Sequence, residues 1–433
     1  MNDKNVLRDM SLSGTVDELR KETVEFSQYV DDVLSRVDAV EPELRSLVPE
    51  EDRHRRVEGA ASRIKDERRG QKPPLYGVPV GIKDIFHVDG LPTKAGSNVP
   101  AETLGDDQGT VIDRLQKAGS VLLGKTVTAE FAYFEPGPTR NPHNVDYSPG
   151  GSSSGSAAAV AAGLCPLAIG TQTIGSITRP AAFCGIVGMK PSYGRIPADG
   201  LISCSESVDH VGFFTQDVAG AHLAAGVMYD DWQLIPKSEK KPTLAVPSGP
   251  YLKQADERGL RHFRRSVSTL EASGYQIKRV ELFSDIEKIN QQHKRLMAAE
   301  FALVHHDWYG EYPEGYSETS VELIGRGRSV PTEDIAIGRA SVGEVRDHIH
   351  RVMDSEDIDL WITPAAPGPA PEGITTTGDP IMNLPWTHAG LPTIALPASK
   401  TDNNLPIGVQ VVASFNSDED MLGWSEGLVE QLK

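Results

Sequence analysis

Between about residue 140 and residue 200 the chain changes material: glycine, serine, proline and alanine dominate, and charges are few. Pro149 to Gly155 reads PGGSSSG, and Ala157 to Gly170 is a nearly apolar run of small side chains. Glycines at this density let backbone segments approach a ligand closely and aim amide N–H groups at it. The rest of the fold must enclose such a segment. With 433 residues, 39% hydrophobic and 24% charged, the chain has ordinary globular composition. Its length suits one large α/β structure or two to three smaller domains. The apolar run falls short of the roughly 20 residues of a membrane span, and Gly163 and Pro166 interrupt it.

Around this segment, helix and strand patterns interleave, which favours α/β layering. Thr15 with Glu18 reads as a capping box opening a helix. Val30, Val33, Leu34 and Val37 recur at helical spacing. Arg53 to Arg69 reads as a solvated helix face. Leu75 to Phe86 alternates like a strand and carries Lys83 near its end. Val111 to Gly124 reads as helix, turn, strand, and Leu244 to Val246 as another strand. Residues 255–355 look mostly helical. Leu360 to Ile362 and Ile407 to Val412 form a last strand pair around a Pro-rich stretch. Lys237 to Pro242 is short enough to be a connection within one domain.

The net charge of −18 repels phosphate backbones and anionic lipids, so neither nucleic acid nor membrane is an expected partner. Three cysteines, Cys165, Cys184 and Cys204, point to a reducing compartment without disulfides. No secretory signal pattern opens the chain. The expectation is a soluble cytoplasmic protein.

Three readings of PGGSSSG compete. A phosphate-binding P-loop needs Gly-Lys-Ser/Thr, whereas Gly155 precedes Ser156-Ala157. A nucleophile elbow, formally matched by Gly151 to Gly155, must directly follow a strand, and Asn141 to Pro149 does not read as one. A serine-rich surface loop is the default. Two further elements lift the segment above that default: Gly170 to Ser176 again sets a serine in a turn of small residues, and Lys83 sits on a half-apolar strand. Serine is a weak nucleophile until a base takes its proton, and a desolvated lysine can be that base. A Ser153–Asp209–His210 arrangement is disfavoured because sequence neighbours on a strand point to opposite sides. His305-His306 and His348-Ile349-His350 lack zinc-ligand spacing and read as surface or packing residues. Phe131 to Phe134 reads as a pocket wall or as core, and Trp361 and Trp386 as core aromatics, with the pocket mouth as the alternative for Trp386.

The ordered blocks resemble the amidase signature family, serine hydrolases with a Ser-Ser-Lys triad. LYGVPVGIK ending at Lys83, Asn141-Pro142, PGGSSSGSAAAVAAG from Pro149 and GTQTIGSITRPAAFCGIVGMKPSYGRIP from Gly170 carry the likeness. SVDHVG from Ser207, WITP from Trp361, NLPWTHAGLPTIALP from Asn383 and PIGVQ from Pro406 extend it. Ser152 follows Lys83 by 69 positions and Ser176 follows Ser152 by 24, as in this family's triads. The resemblance implies one large α/β domain, a mixed twisted β-sheet core between helical layers. Residues 1–70 would form a helical wrap, 71–230 the catalytic core, and 231–433 the part completing sheet and pocket.

It also implies metal-free, cofactor-free hydrolysis of a small carboxylic amide through an acyl-enzyme. Ser176 would be nucleophile, Ser152 the bridging serine and Lys83 the base. The backbone amides of Thr173, Ile174, Gly175 and Ser176 would form the oxyanion hole, with Gly151, Ser153 and Arg179 contacting substrate. Lys83 must be neutral to accept a proton, so burial must pull its pKa from about 10.4 towards ~7–8.

Three positions depart from the common pattern. Gln172 stands where many members have Asp, Ile174 where they have Gly, and the arginine comes three residues after Ser176, as Arg179, instead of two. That offset resembles malonamidase-like members, whose arginine holds a substrate carboxylate; a guanidinium fork suits that task. The competing role for Arg179 is structural pairing. The same offset argues against the tRNA-linked amidotransferase branch of the family. Ile174, β-branched, narrows the pocket and disfavours large acyl groups. The alternatives are a non-catalytic or partner-dependent subunit on this fold, or an amidase for aryl amides or hydrazides. A small-molecule amide is the expected partner, and a homodimer the assembly to test.

Overall fold

In the computed structural model, which describes residues 6–67, 72–234 and 240–432, one mixed sheet runs through the chain. Its strands are β1 (Pro79–Lys83), β2 (Val121–Thr126), β3 (Leu167–Gln172), β4 (Val187–Lys190), β5 (His210–Thr215), β6 (Leu244–Ser248), β7 (Ile277–Glu281), β8 (Leu360–Pro364), β9 (Thr393–Lys400) and β10 (Pro406–Val412). They lie in the order β2-β1-β3-β5-β4-β9-β10-β8-β6-β7. Both ends are parallel, β2 with β1 with β3 and β8 with β6 with β7, while the middle is antiparallel. Helices cover the sheet, as the expected α/β architecture requires.

The small-residue segment is interior. The Ser154–Ala161 helix is buried at every position, because alanine and serine let a helix sit close on its neighbours. Its outer side meets the Phe26–Leu44 helix, whose Val30, Val33, Leu34 and Val37 share one apolar cluster with Ala157 to Ala162. β1, β2 and β3 are buried at every residue, the signature of a sheet covered on both faces. The alternation read for Leu75 to Phe86 therefore marks a shorter, fully enclosed strand.

Other expectations need correction. The first helix, Leu12–Lys21, is capped by Ser11, whose hydroxyl accepts from the Gly14 amide at 3.2 Å; Thr15 lies inside it. The capping-box reading fails because Ser11 offers the same chemistry one turn earlier. The Arg53–Glu67 helix is solvated on one side only, since Arg56 reaches the carbonyls of Leu122 and Leu123 at 2.7 and 3.0 Å. β7 interrupts the helical stretch at 255–355; its sequence IKRVE is an edge strand with mixed exposure, which hides it among amphipathic helices. Of the Lys237-to-Pro242 connection, 237–239 lie outside the described residues, as do residues 68 and 69 of the Arg53-to-Arg69 run. No helix among the described residues is long and apolar enough to cross a membrane.

Candidate active site

Lys83 ends β1 with a side chain that is 0% exposed. Its Nζ lies 2.8 Å from Ser152 Oγ and 2.8 Å from Thr171 Oγ1. The three groups meet because β1 and β3 are neighbours and the 150–153 turn leads into the helix laid against them. Gly150 takes φ +84°, the left-handed turn that favours glycine, and a Cβ there would sit 2.8 Å from Pro180 Cα. Burial pulls the Lys83 pKa down from 10.5 to about 7, opposed by the carboxylate of Asp209. Asp84, next in sequence, is paired with Lys125 at 2.9 Å, so its charge is matched away from Lys83.

Thr171 escapes the sequence reading; within LAIGTQ only its hydroxyl, beside Gln172 on a strand otherwise apolar or small, could flag it. It accepts a hydrogen bond that favours the charged amine. Thr171→Val is therefore expected to lower the lysine pKa by roughly one unit further. The acidic limb of any lysine-dependent activity should move down by that amount; a pH–rate profile checks it.

Ser176 sits between β3 and the Thr178–Cys184 helix, 8% exposed. Gln172 organises this turn. Its Oε1 accepts from the amides of Ile177 and Thr178 at 2.8 and 2.9 Å, and its Nε2 donates to Thr387 Oγ1 at 2.9 Å. Thr387 Oγ1 in turn donates to the Ile174 carbonyl at 2.6 Å. A neutral amide does here what an aspartate could not, because it both accepts and donates. Thr173 is fixed separately, its hydroxyl donating to Asp209 at 2.5 Å. Among the described residues, the amides of Thr173 to Ser176 donate to no protein acceptor, the state an oxyanion hole requires. Gly175 has no room for a side chain: a Cβ would lie 2.3 Å from Asn383 Oδ1. Asn383 cannot yield, since its Nδ2 donates to Ala365 O and Gln410 Oε1, each at 2.9 Å.

Ser176 lines a crevice with Tyr133, Phe134, Thr173, Ile174, Arg179 and Pro380. The crevice holds about 10 Å³, room for one water. It shares Tyr133, Phe134, Ile174, Met297 and Pro380 with a larger cavity of about 200 Å³. Ile174 lines both. Of the aromatic run, Tyr133 and Phe134 form the wall, whereas Phe131 is core, stacked on Tyr316 at 4.8 Å. A cavity of about 610 Å³ lies elsewhere, between the Glu257–Ala272 helix, the end of β9 and the Asp418–Leu432 helix, and none of Lys83, Ser152 or Ser176 lines it.

Of the three expected substrate contacts, Arg179 lines the crevice and Gly151 and Ser153 do not. Ser153 is fully buried and donates to the Thr171 carbonyl at 3.2 Å, away from the crevice, because the β3 backbone offers it a partner. Gly151 turns its carbonyl to Arg179 at 2.5 Å. Arg179, 1% exposed, also donates to the Gly378 carbonyl and to Thr377 Oγ1 at 3.3 Å. Its Nε alone has no partner, so one prong of the fork is free, not two. Burial lowers its pKa to about 9, opposed by Asp379.

Asp209 and His210 do not join Ser153: Asp209 receives Thr173, Ser203 and the amides of Cys204 and Ser205. The His210 Nδ1 pairs with the Val208 carbonyl at 2.7 Å. Cys184 is buried with its thiol 3.4 Å from the Pro149 carbonyl, a packing position. Trp386 and Trp361 are fully buried, and His305 packs against Phe131 at 4.4 Å. Among the described residues no three His, Cys, Asp or Glu side chains gather as metal ligands.

Comparison with known proteins agrees with this geometry at the level of family. The family model "Amidase" matches residues 28–422. A glutamyl-tRNA(Gln) amidotransferase subunit from Prochlorococcus marinus is 31% identical, the match covering 95% of each chain. A solved amidase superposes with a TM-score of 0.88 at 29% identity, over 98% of this chain and 100% of the other. The peptide amidase of Stenotrophomonas maltophilia shares the fold, with a TM-score of 0.83 at 22% identity over 98% of this chain and 97% of that one.

Proposed function

Because the chain belongs to the amidase family, and so is a hydrolase of carbon–nitrogen amide bonds, we propose that it hydrolyses small carboxylic amides through an acyl-enzyme on Ser176, without a metal. The observation that carries this reading is a fully buried lysine, its pKa near 7, in hydrogen-bond contact with the Ser152 hydroxyl. Neutral Lys83 takes the Ser152 proton as Ser152 takes that of Ser176, and Ser176 Oγ attacks the amide carbon. The free amides of the 173–176 turn receive the developing oxyanion. The proton returns through Ser152 to the leaving nitrogen, and water then cleaves the ester by the same relay. Thr171 holds one amine hydrogen and so aims the lysine lone pair at Ser152. Ammonia release from a panel of small amides, with aryl amides and hydrazides included, tests the activity. A chain that releases none from any member contradicts it.

Arg179 bears on the malonamate-like version of this reading. With two nitrogens committed to backbone carbonyls, it serves as a tie between the 151–152 turn and the 377–378 segment. Arg179→Ala is expected to strand those carbonyls, costing about 2–4 kcal/mol of stability, and to slow acidic and neutral amides alike. A KM increase confined to acidic amides would return Arg179 to carboxylate binding.

A second reading draws on the amidotransferase subunits among the relatives: activity that depends on a partner chain. The arginine three residues past Ser176 favours the stand-alone amidase. Ammonia release by the isolated chain separates the two.

A further inference from the structure

The cavity beyond Ser176 has an uneven lining. Its middle is apolar, with Phe134, Met297 and Leu384 around Ile174, while Lys294 and Arg326 stand at its exposed side. Lys294 projects from the Ile286–Val304 helix and Arg326 from the Glu318–Arg328 helix, and these two helices pack together. Among the described residues neither cation forms a salt bridge. Arg326 is steadied by donating to Tyr133 Oη at 2.9 Å, and the Tyr133 ring is itself cavity wall. The single carboxylate on the lining, Asp379, accepts the Ile381 amide at 2.9 Å and has the buried Arg179 charge beside it. The lining therefore carries two cations to one carboxylate, with Glu322 near Tyr133, on a protein whose net charge is −18, and local cations of this kind concentrate anions against an opposing field.

We propose that Lys294 and Arg326 bind an anionic group at the far end of the substrate's acyl chain. The preferred substrates are then monoamides of dicarboxylic acids with several methylenes between amide and carboxylate. This rests on Ser176 being the nucleophile. A malonamate carboxylate lies two bonds from the amide carbon and stays in the crevice beside Ser176, whose lining Arg179 is already committed to carbonyls. A cavity of about 200 Å³ has the volume of roughly seven liquid waters, which suits an acyl chain of about that many heavy atoms. The amide sits at Ser176, the methylenes cross the apolar middle, and the carboxylate meets the two cations. A charge-assisted contact at that end is worth about ten- to a hundredfold in binding.

The test measures kcat/KM for malonamate, succinamate, glutaramate and adipamate beside butyramide and hexanamide. Adipamate is expected to exceed hexanamide at least tenfold, and malonamate to be the poorest acid. In the Lys294→Gln, Arg326→Gln double variant the adipamate-to-hexanamide ratio should fall at least tenfold. In Lys294→Glu, Arg326→Glu the preference should turn to 6-aminohexanamide, a reversal that a merely structural role would not give. A ratio unmoved by both double variants, or malonamate as the best acid, overturns the assignment while hexanamide turnover upholds Ser176. No ammonia from any amide, together with an unlabelled Ser176 after fluorophosphonate treatment, overturns the reading beneath it.

Discussion

Ser176→Ala is expected to abolish amide turnover, by roughly 10⁴-fold or more, while leaving the fold intact. The change removes one hydroxyl from a residue whose turn is held by others: Gln172 collects the Ile177 and Thr178 amides, and Thr387 holds the Ile174 carbonyl. Nothing in that scaffold depends on the Ser176 side chain, so thermal unfolding should stay within about 1 kcal/mol of the parent. Ammonia release and an unfolding curve on one preparation check both halves. Hydrolysis at the parental rate would remove Ser176 from the chemistry.

Lys83→Met is expected to be inactive at neutral pH and yet to gain on the parent in stability as pH falls. The folded lysine has a pKa of about 7 against its ordinary 10.5. Between those values the unfolded chain binds a proton that the folded chain does not, so the parent loses stability as pH drops from 10.5 to 7. The full loss is about 5 kcal/mol. Below pH 7 both states are protonated and the difference stays constant. Methionine carries no such charge and fills similar space, while the hydrogen bonds it loses give an offset independent of pH. The unfolding free energy of the variant minus that of the parent should therefore climb between pH 10 and pH 7, then level off. A difference that is flat across this range would mean that the buried amine is not depressed, and a parent profile of activity flat down to pH 4 would exclude it as the base.

The sequence exposes the parts of the site whose chemistry is written in residue type. Glycine and serine cannot be so dense without a close-packed turn, and Lys83 on a buried strand calls for a partner. What it hides are the partners made by folding. Thr171 contacts Lys83 only because β3 lies beside β1, and a single threonine in a strand carries no mark of its orientation. Gln172 looks like a lost aspartate until its amide is seen serving both the 177–178 amides and Thr387, more than two hundred residues away. A guanidinium advertises what it can grip, but the actual partners of Arg179 are backbone carbonyls, which leave no trace in residue identity. In the fold, β3, β4, β5 and β9 escape the sequence reading, whereas β1, β2, β6, β8, β10 and the long amphipathic helices are legible from it. β7 is not, because IKRVE at a sheet edge has the composition of a helix surface.

The central claim is that a lysine with a pKa near 7 activates Ser176 through Ser152. Fluorophosphonate labelling followed by peptide mass analysis, repeated across pH 5 to 10, tests it most directly. The account predicts one adduct, on Ser176, forming at a rate that rises through a single ionisation near pH 7 and collapses in Lys83→Met. Labelling of another residue, or a rate on Ser176 that does not change with pH or with loss of Lys83, would contradict it.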